Sequence, residues 1–309
     1  MNLQQLRIVG EALRRDLNLT EVAKALNTSQ SGVSKHIMDL EQELGIDIFV
    51  RRGKRIVGLT EPGKELAGLV DRILLGLQNI KNVAAHFTSR DSGHLTLATT
   101  HTQARYSLPA VVSEFKKEFP DVELVLHQSG PAEIVAHLMS GRADIAIATE
   151  ALDNYPEFAT FPFYRWHHAV IAAEGHPLLR RGTITIEQLA EFPIITYSEG
   201  FTGRARVDEA FARAGATPKI AMSALDADVI KAYVELGLGV GIVAAMAVDP
   251  SRDKTLHLVP SEHLFEANTT RIAIRRGNYL RGFACRFIQL CVPSIKEAEI
   301  RAASSADAR

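Results

Sequence analysis

The sequence predicts a chain of two parts. The first is a helical N-terminal domain that ends in a small β-hairpin and a long helix, and the second is a C-terminal α/β domain of two Rossmann-like subdomains. Apolar residues recur at helical spacing as far as about residue 90, and strand-like runs alternate with helix-like runs beyond it. The length of 309 residues leaves room for two or more domains.

Composition limits the class of protein. Lysine plus arginine (35) nearly cancel aspartate plus glutamate (36), which excludes a uniformly basic coat protein but not a local basic patch. Cys285 and Cys291 have no CxxC spacing, so we expect them in the core, and we expect His167 and His168 at the surface. We expect no metal site and no cofactor. With neither a leader segment nor a membrane-length apolar run, a cytoplasmic protein without membrane contact is expected.

The N-terminal domain begins with three predicted helices. The first starts at Leu3 and breaks near Asn18, and the second runs from Glu21 to Leu26 with Thr20 as its cap. A third runs from about Gln30 to Leu44, is capped by Ser29 and stops at Gly45. Residues 49–60 then read as two short strands that turn at Gly53. This is the order of a winged helix-turn-helix.

A winged helix-turn-helix places its second helix in the major groove of DNA and its wing against the backbone. The hairpin supplies four positive charges and no acidic residue. The predicted DNA contacts are Ser29, Gln30, Ser31, Ser34, Lys35 and His36 in the helix and Arg51, Arg52, Lys54 and Arg55 in the wing. The alternative for the helix residues is an ordinary solvated face.

From Thr60 a long helix carries apolar residues at alternating spacings of four and three, from Leu66 to Phe87. Such a seam requires a partner helix, so it predicts a homodimer. The expected domains are therefore 1–60 for DNA binding, 61–90 for the linker and dimerisation helix, and 91–309 for the remainder.

The C-terminal domain divides into two predicted subdomains, the first at about 91–162 plus return strands near 268–292, and the second at about 163–267. Within the domain we expect a helix at 103–119, strands at 193–197 and 268–275, and a frayed polar tail at 302–309. Ligands bind at the carboxyl ends of parallel strands, and hydroxyl or amide side chains follow three such ends. These candidate anion-binding residues are Thr100, Thr102, Gln103, Thr149 and Thr202. Neutral donors favour a fully ionised oxyanion such as sulfate. The alternative is that the threonines are ordinary helix caps.

Several segments resemble the LysR-type transcriptional regulators. They are Thr20–Leu26, Thr28–Ser34, Leu40–Gly45 and Leu59–Gly63, in matching order and spacing. Thr99–Tyr106, Ala146–Ala151, Gly200–Arg204 and Gly237–Ala244 resemble the CysB/Cbl branch of that family, which regulates sulfur assimilation.

The resemblance implies a periplasmic-binding-protein-like effector domain and binding to double-stranded promoter DNA. It also implies an activator of sulfur assimilation and organosulfur (sulfonate, sulfate-ester) genes, a homotetramer, contact with RNA polymerase and a nucleoid-associated bacterial location. A small anionic sulfur effector, sulfate or adenylyl sulfate, would be held by the five residues named above.

Two other functions stay open on residue patterns alone. One is a small-molecule sulfo- or phosphotransferase with a helical N-terminal domain, although the chain offers no catalytic constellation. The other is a solute-binding receptor, which the missing export signal weakens.

Overall fold

The computed structural model describes residues 1–53, 55–88 and 91–305, without the side chain of His86. These residues form two compact units, one of residues 1–88 with 277–279 and one of residues 91–276 with 280–305. No helix in the described ranges is both long and apolar enough to cross a membrane.

Three helices form the core of the first unit: α1 (Leu3–Arg14), α2 (Leu19–Ala25) and α3 (Gln30–Leu44). Ser29 caps α3 by accepting the Gly32 N–H at 3.1 Å, as predicted. The predicted cap of α2 is wrong. Asn18 rather than Thr20 is the cap, because its side-chain oxygen reaches two free amides, those of Thr20 (3.1 Å) and Glu21 (3.3 Å).

The predicted hairpin is β1 (Phe49–Arg52) paired antiparallel with β2 (Arg55–Leu59), and α4 (Glu61–Thr88) follows it. Gly63, in the first turn of α4, lies so close to the preceding chain that a Cβ there would fall 2.0 Å from the Ile48 carbonyl oxygen. Only glycine fits this position. Large apolar side chains of α4 remain exposed, including Ile80 at 68% and Phe87 at 82%.

The second unit follows in chain order as β3 (Gly93–Thr99), a π-helical turn (Gln103–Ser107), α5 (Leu108–Glu118), β4 (Val122–Gln128), α6 (Pro131–Met139), β5 (Ile145–Ala148), β6 (Phe158–Trp166), β7 (His168–Ala173), α7 (Ile186–Ala190), β8 (Pro193–Tyr197), α8 (Arg204–Arg213), β9 (Lys219–Ala224), α9 (Ala227–Glu235), β10 (Val240–Ala244), β11 (Leu256–Val259), β12 (Asn268–Arg275), α10 (Gly282–Cys291) and α11 (Glu297–Ser304).

These strands form two five-stranded sheets, each the centre of one lobe. The first sheet has the order β4-β3-β5-β12-β6 and the second β11-β7-β10-β8-β9. β3 is parallel to β4 and β5, and β8 is parallel to β9 and β10, while the return strands are antiparallel. The predicted fold of two α/β subdomains is confirmed, and each sheet is mixed.

Three local expectations need correction. β6 stays in the first sheet as far as Trp166, so the chain crosses to the second lobe four residues later than expected. The helix expected at 103–119 begins with a π-helical turn. Residues 302–304, expected in a frayed tail, belong to α11, because Ile300 is fully buried in the core of the first lobe. Cys285 and Cys291 are buried in the same core, as predicted.

Candidate effector site and DNA-binding surface

The first predicted pocket residues lie where two neighbouring strands of the first lobe end. Thr100, Thr102 and Gln103 follow β3, and Thr149 follows β5, its parallel neighbour. Thr100 is 5% exposed, and Thr102 and Gln103 are 1% exposed each. The sheet topology therefore brings these four side chains to one edge, as the sequence predicts.

Thr270 of β12 connects part of this group. Its hydroxyl lies 3.3 Å from the Thr149 hydroxyl and receives the Gln103 side-chain N–H at 3.3 Å and the Trp166 indole N–H at 3.0 Å. The Tyr164 hydroxyl donates to the Gln103 side-chain oxygen at 2.5 Å. Gln103 and Thr270 are thus held in fixed orientations by neutral partners.

The second lobe contributes Thr202, between β8 and α8. Its backbone φ of +43° is an outlier for a β-branched residue, and its side chain is 2% exposed. Two neighbours hold it: the His168 ring nitrogen Nε2 lies 3.1 Å from the Thr202 carbonyl oxygen, and Asn268 lies 3.4 Å from the other ring nitrogen. A Cβ on Gly203 would fall 2.6 Å from the Asn268 side chain, so glycine is required next to Thr202.

The surface position predicted for His168 is wrong. The side chain is fully buried, and burial lowers the pKa of His168 to about 4, so the ring is neutral at pH 7. A neutral ring with one N–H can donate to Thr202 and accept from Asn268 at the same time. His167 is exposed, as predicted.

Three buried hydroxyls at these strand ends have no hydrogen-bond partner within the described residues. One belongs to Ser129, which follows β4, and the other two belong to the predicted site residues Thr102 and Thr202. Neither acts as a helix cap: Thr102 precedes the π-helical turn without a side-chain cap bond, and the cap position of α8 is Gly203. Thr102 lies near the Tyr197 phenol without hydrogen-bond geometry. Because a buried hydroxyl without a partner costs about 1–3 kcal/mol, the pair suggests positions that a ligand satisfies.

An acidic side chain also belongs to this region. Glu150 follows Thr149 in the first lobe, and one of its carboxylate oxygens accepts the N–H of Gly203 in the second lobe. The other oxygen is buried without a partner in the described ranges. Burial raises the pKa of Glu150 to about 7, against the lowering effect of the Gly203 hydrogen bond. The candidate anion site is therefore not built of neutral donors alone, because a carboxyl group also belongs to it.

A second set of contacts joins the lobes at Asp228 of α9. The Tyr106 hydroxyl donates to it at 2.6 Å, and His101 (3.3 Å) and Arg105 (3.5 Å) also approach it from the first lobe. Ligand atoms of His101, Asp226 and Asp228 lie within 4.8 Å of one another, as a cation site would require. Since Lys231 (3.4 Å) and Arg105 (3.5 Å) both pair with Asp228, the group is better described as an interlobe ion-pair network.

The predicted DNA-reading residues lie at the start of α3. Ser29, Gln30, Ser31 and Lys35 are exposed, and Ser34 and His36 are half-buried. The Ser29 hydroxyl is engaged by the Gly32 amide and by Ser31 at 3.1 Å. Gln30, Ser31 and Lys35 are therefore the side chains on this helix best placed to meet a DNA surface.

The wing residues differ in their surroundings. Arg52 and Arg55 are exposed, whereas Lys54 lies outside the described residues. Arg51 donates at 2.6 Å to Glu41, whose side chain is 6% exposed and which also accepts the Ile48 and Phe49 amides at 2.8 and 3.1 Å. Arg51 thus has a structural partner inside the domain.

Sequence reasoning missed Thr270, Glu150, His168 and Asn268. A signal existed for two of them: β12 alternates, and Asn268, Thr270 and Ile272 share the buried face, so two polar side chains occupy core positions. Buried polar residues on a strand need partners and often mark a site.

Comparison with known proteins agrees with this architecture. Residues 3–64 match the family described as "Bacterial regulatory helix-turn-helix protein, lysR family", and residues 88–295 match "LysR substrate binding domain". The regulator SsuR of Burkholderia cenocepacia is 56% identical over 300 residues, which cover 97% of both chains. The regulator Cbl of Escherichia coli K12 is 50% identical over 301 residues, which cover 97% of this chain and 95% of that protein.

Two solved structures are similar. The cofactor-binding domain of the Cbl transcriptional regulator is 45% identical, with a TM-score of 0.68 over 70% of this chain and 95% of that one. Full-length CbnR in complex with its target DNA is 20% identical, with a TM-score of 0.60 over 96% of this chain and all of that one, and shows the shared fold.

A winged helix-turn-helix joined to a two-lobed effector domain defines a DNA-binding regulator controlled by a small molecule. This chain belongs to the LysR family of bacterial transcriptional regulators and is of the SsuR, CysB and Cbl kind. The regulator prediction is confirmed. The transferase alternative is wrong, since these relatives are transcriptional regulators and not enzymes.

Proposed function

We propose that this regulator activates genes of sulfur assimilation and organosulfur utilisation, and that a sulfur oxyanion, sulfate or adenylyl sulfate, binds between its lobes. Thr100, Thr102, Gln103, Thr149 and Thr202 hold the oxyanion. The observation that carries the proposal is the pair of buried, unpartnered hydroxyls, Thr102 from the first lobe and Thr202 from the second. Both are donors that a sulfate oxygen satisfies.

The same arrangement supports a mechanism. An oxyanion that binds Thr102 and Thr202 together favours one relative position of the lobes, so its binding free energy biases their equilibrium. That bias reaches DNA through a homodimer formed by the linker helix, where Ile73 (43% exposed) and Ile80 (68%) offer an apolar seam. A homotetramer of two such dimers contacts promoter DNA and RNA polymerase.

For adenylyl sulfate, the nucleoside must lie beyond the oxyanion. Tyr164 and Trp166 border the polar group through their hydrogen bonds to Gln103 and Thr270, and Phe201 precedes Thr202. Of these, Tyr164 and Phe201 are partly buried and supply surface for stacking a base, whereas Trp166 is 5% exposed.

The test is calorimetric titration of the full-length chain with sulfate and with adenylyl sulfate. The double variant Thr102→Val/Thr202→Val should lose at least about 100-fold in affinity, because each of the two lost hydrogen bonds to a charged ligand is worth about 1.5–3 kcal/mol. Thr183→Val, at an exposed threonine of the second lobe, is the matched control and should bind as the unmodified chain does. Equal affinity for the double variant and the control would contradict this site.

A further inference from the structure

Glu150 occupies a position where a bound anion would be expected. Its carboxylate accepts the N–H of Gly203, the residue that precedes the first turn of α8. Helix N-termini bind anions through such amides, and Thr202, with its unpartnered hydroxyl, is the adjacent residue. The chain thus places its own carboxyl group beside the donors proposed for the oxyanion.

The charged groups around Glu150 are engaged elsewhere. Arg204 of α8 donates to Asp208 at 2.8 Å and to the Tyr197 carbonyl at 2.6 Å. Asp153, three residues further along the chain, is paired with Arg271 of β12. In the described ranges no basic side chain forms an ion pair with Glu150 to offset its charge.

Another titratable group in this region is His168 of β7, which holds the Thr202 carbonyl. Its pKa is lowered to about 4 by burial, so at neutral pH it brings no charge. A second negative charge added to this region would therefore meet the Glu150 carboxylate without compensation. Like charges in a buried site repel strongly, and one of them takes up a proton.

We infer that Glu150 determines the charge state in which the oxyanion binds: a dianion such as sulfate enters together with one proton, which Glu150 takes up. Once protonated, the carboxyl offers an O–H donor in place of a repelling charge. Within the part of the chain that the structure describes, its oxygen Oε2 has no competing hydrogen bond. This inference rests on the proposed function, because it concerns the same site.

The experiment is calorimetric titration of the full-length chain with sulfate in two buffers of different ionisation enthalpy, from pH 5.5 to 8.5. The difference in heat between the buffers counts the protons taken up. Because burial raises the pKa of Glu150 to about 7, uptake should approach one proton per site at pH 8 and fall towards zero below pH 6. The Kd should weaken by nearly tenfold per pH unit above pH 7.

Two variants make the assignment specific. Glu150→Gln should bind sulfate without proton uptake and with a Kd independent of pH over this range. Glu199→Gln changes an exposed glutamate in the same loop as Thr202 and should retain the behaviour of the unmodified chain. The unmodified chain is a test by itself, because uptake far below one proton per site at pH 8 would contradict the inference whatever the variants do.

The outcomes separate the two proposals. Sulfate binding without proton uptake at pH 8, or proton uptake that persists in Glu150→Gln, would overturn the role of Glu150 and leave the sulfate site intact. If neither the unmodified chain nor Glu150→Gln binds sulfate at any pH, the proposed effector is wrong and the inference falls with it.

Discussion

Arg51 and Arg52 are adjacent arginines of the wing whose replacement by alanine should have different consequences. Arg51 is the ion-pair partner of Glu41 at 2.6 Å, and the Glu41 side chain is 6% exposed. Arg52 is exposed and forms no ion pair within the described residues. Arg51→Ala should therefore destabilise the N-terminal domain, whereas Arg52→Ala should weaken DNA binding alone.

The size of the effect follows from burial. Removing one partner of a fully buried ion pair costs about 3–5 kcal/mol, because the remaining charge has lost its partner. Arg51 is 33% exposed, and Glu41 keeps the amides of Ile48 and Phe49, so both solvent and hydrogen bonds reduce the loss. We expect about 2 kcal/mol, which makes opening of this domain about 30-fold more frequent.

Hydrogen exchange measures this opening directly. In Arg51→Ala, amides of α3 and of the wing should exchange about 30-fold faster, and in Arg52→Ala they should exchange at the unmodified rate. Arg52→Ala should instead weaken binding to promoter DNA in gel shifts. The slope of log affinity against log salt concentration should become shallower by about one, which corresponds to the loss of one phosphate contact. Unchanged exchange in Arg51→Ala, together with a salt slope equal to that of Arg52→Ala, would refute the structural role of the Glu41 pair.

Two further predictions concern stability and assembly. Glu150→Gln should stabilise the second unit by about 3 kcal/mol at pH 8, and this gain should vanish near pH 4.5. The pKa of Glu150 in the folded chain, about 7, lies above its ordinary value of 4.5, so the ionised carboxylate destabilises the folded state. This cost is fully present above pH 7 and absent below pH 4.5. Thermal melts across this pH range measure it. Ile80→Asp should shift the chain towards monomer in sedimentation, because Ile80 is 68% exposed on the linker helix, whereas Gln78→Asp on the same helix should not.

Much of the fold could be predicted because its signals are local. Ser29 and Gly45 bound α3 by short-range capping rules, and the boundaries of β8 and β12 follow from turn residues beside apolar runs. The failures are also local in origin. Asn18 is the cap, two positions ahead of the predicted Thr20, and α11 was missed because Ile300 is the single large apolar residue that anchors it.

The candidate site was harder to predict because its side chains come from distant segments. Strand-end reasoning finds Thr100 and Thr149 because parallel strands end at one edge whatever the rest of the chain does. The same reasoning does not identify Thr270, which contacts Thr149 from a position 121 residues away in the sequence. Nor does it indicate that Glu150 crosses to the other lobe, since a glutamate after a strand is usually solvated.

Thr202 shows where local capping rules fail. Hydroxyl residues ahead of a helix usually cap it, but at Thr202 the backbone adopts φ +43° and the hydroxyl makes no such bond. His168 fixes its carbonyl from 34 residues away, and Glu150 holds the amide of the next residue from 53 residues away. Long-range contacts thus keep Thr202 in a strained conformation and leave its hydroxyl free. Helix capping does not explain this conformation. These contacts of His168 and Glu150 also place the Thr202 hydroxyl beside the Glu150 carboxyl. The shape of the site and its inferred preference for a protonated Glu150 therefore have one structural origin.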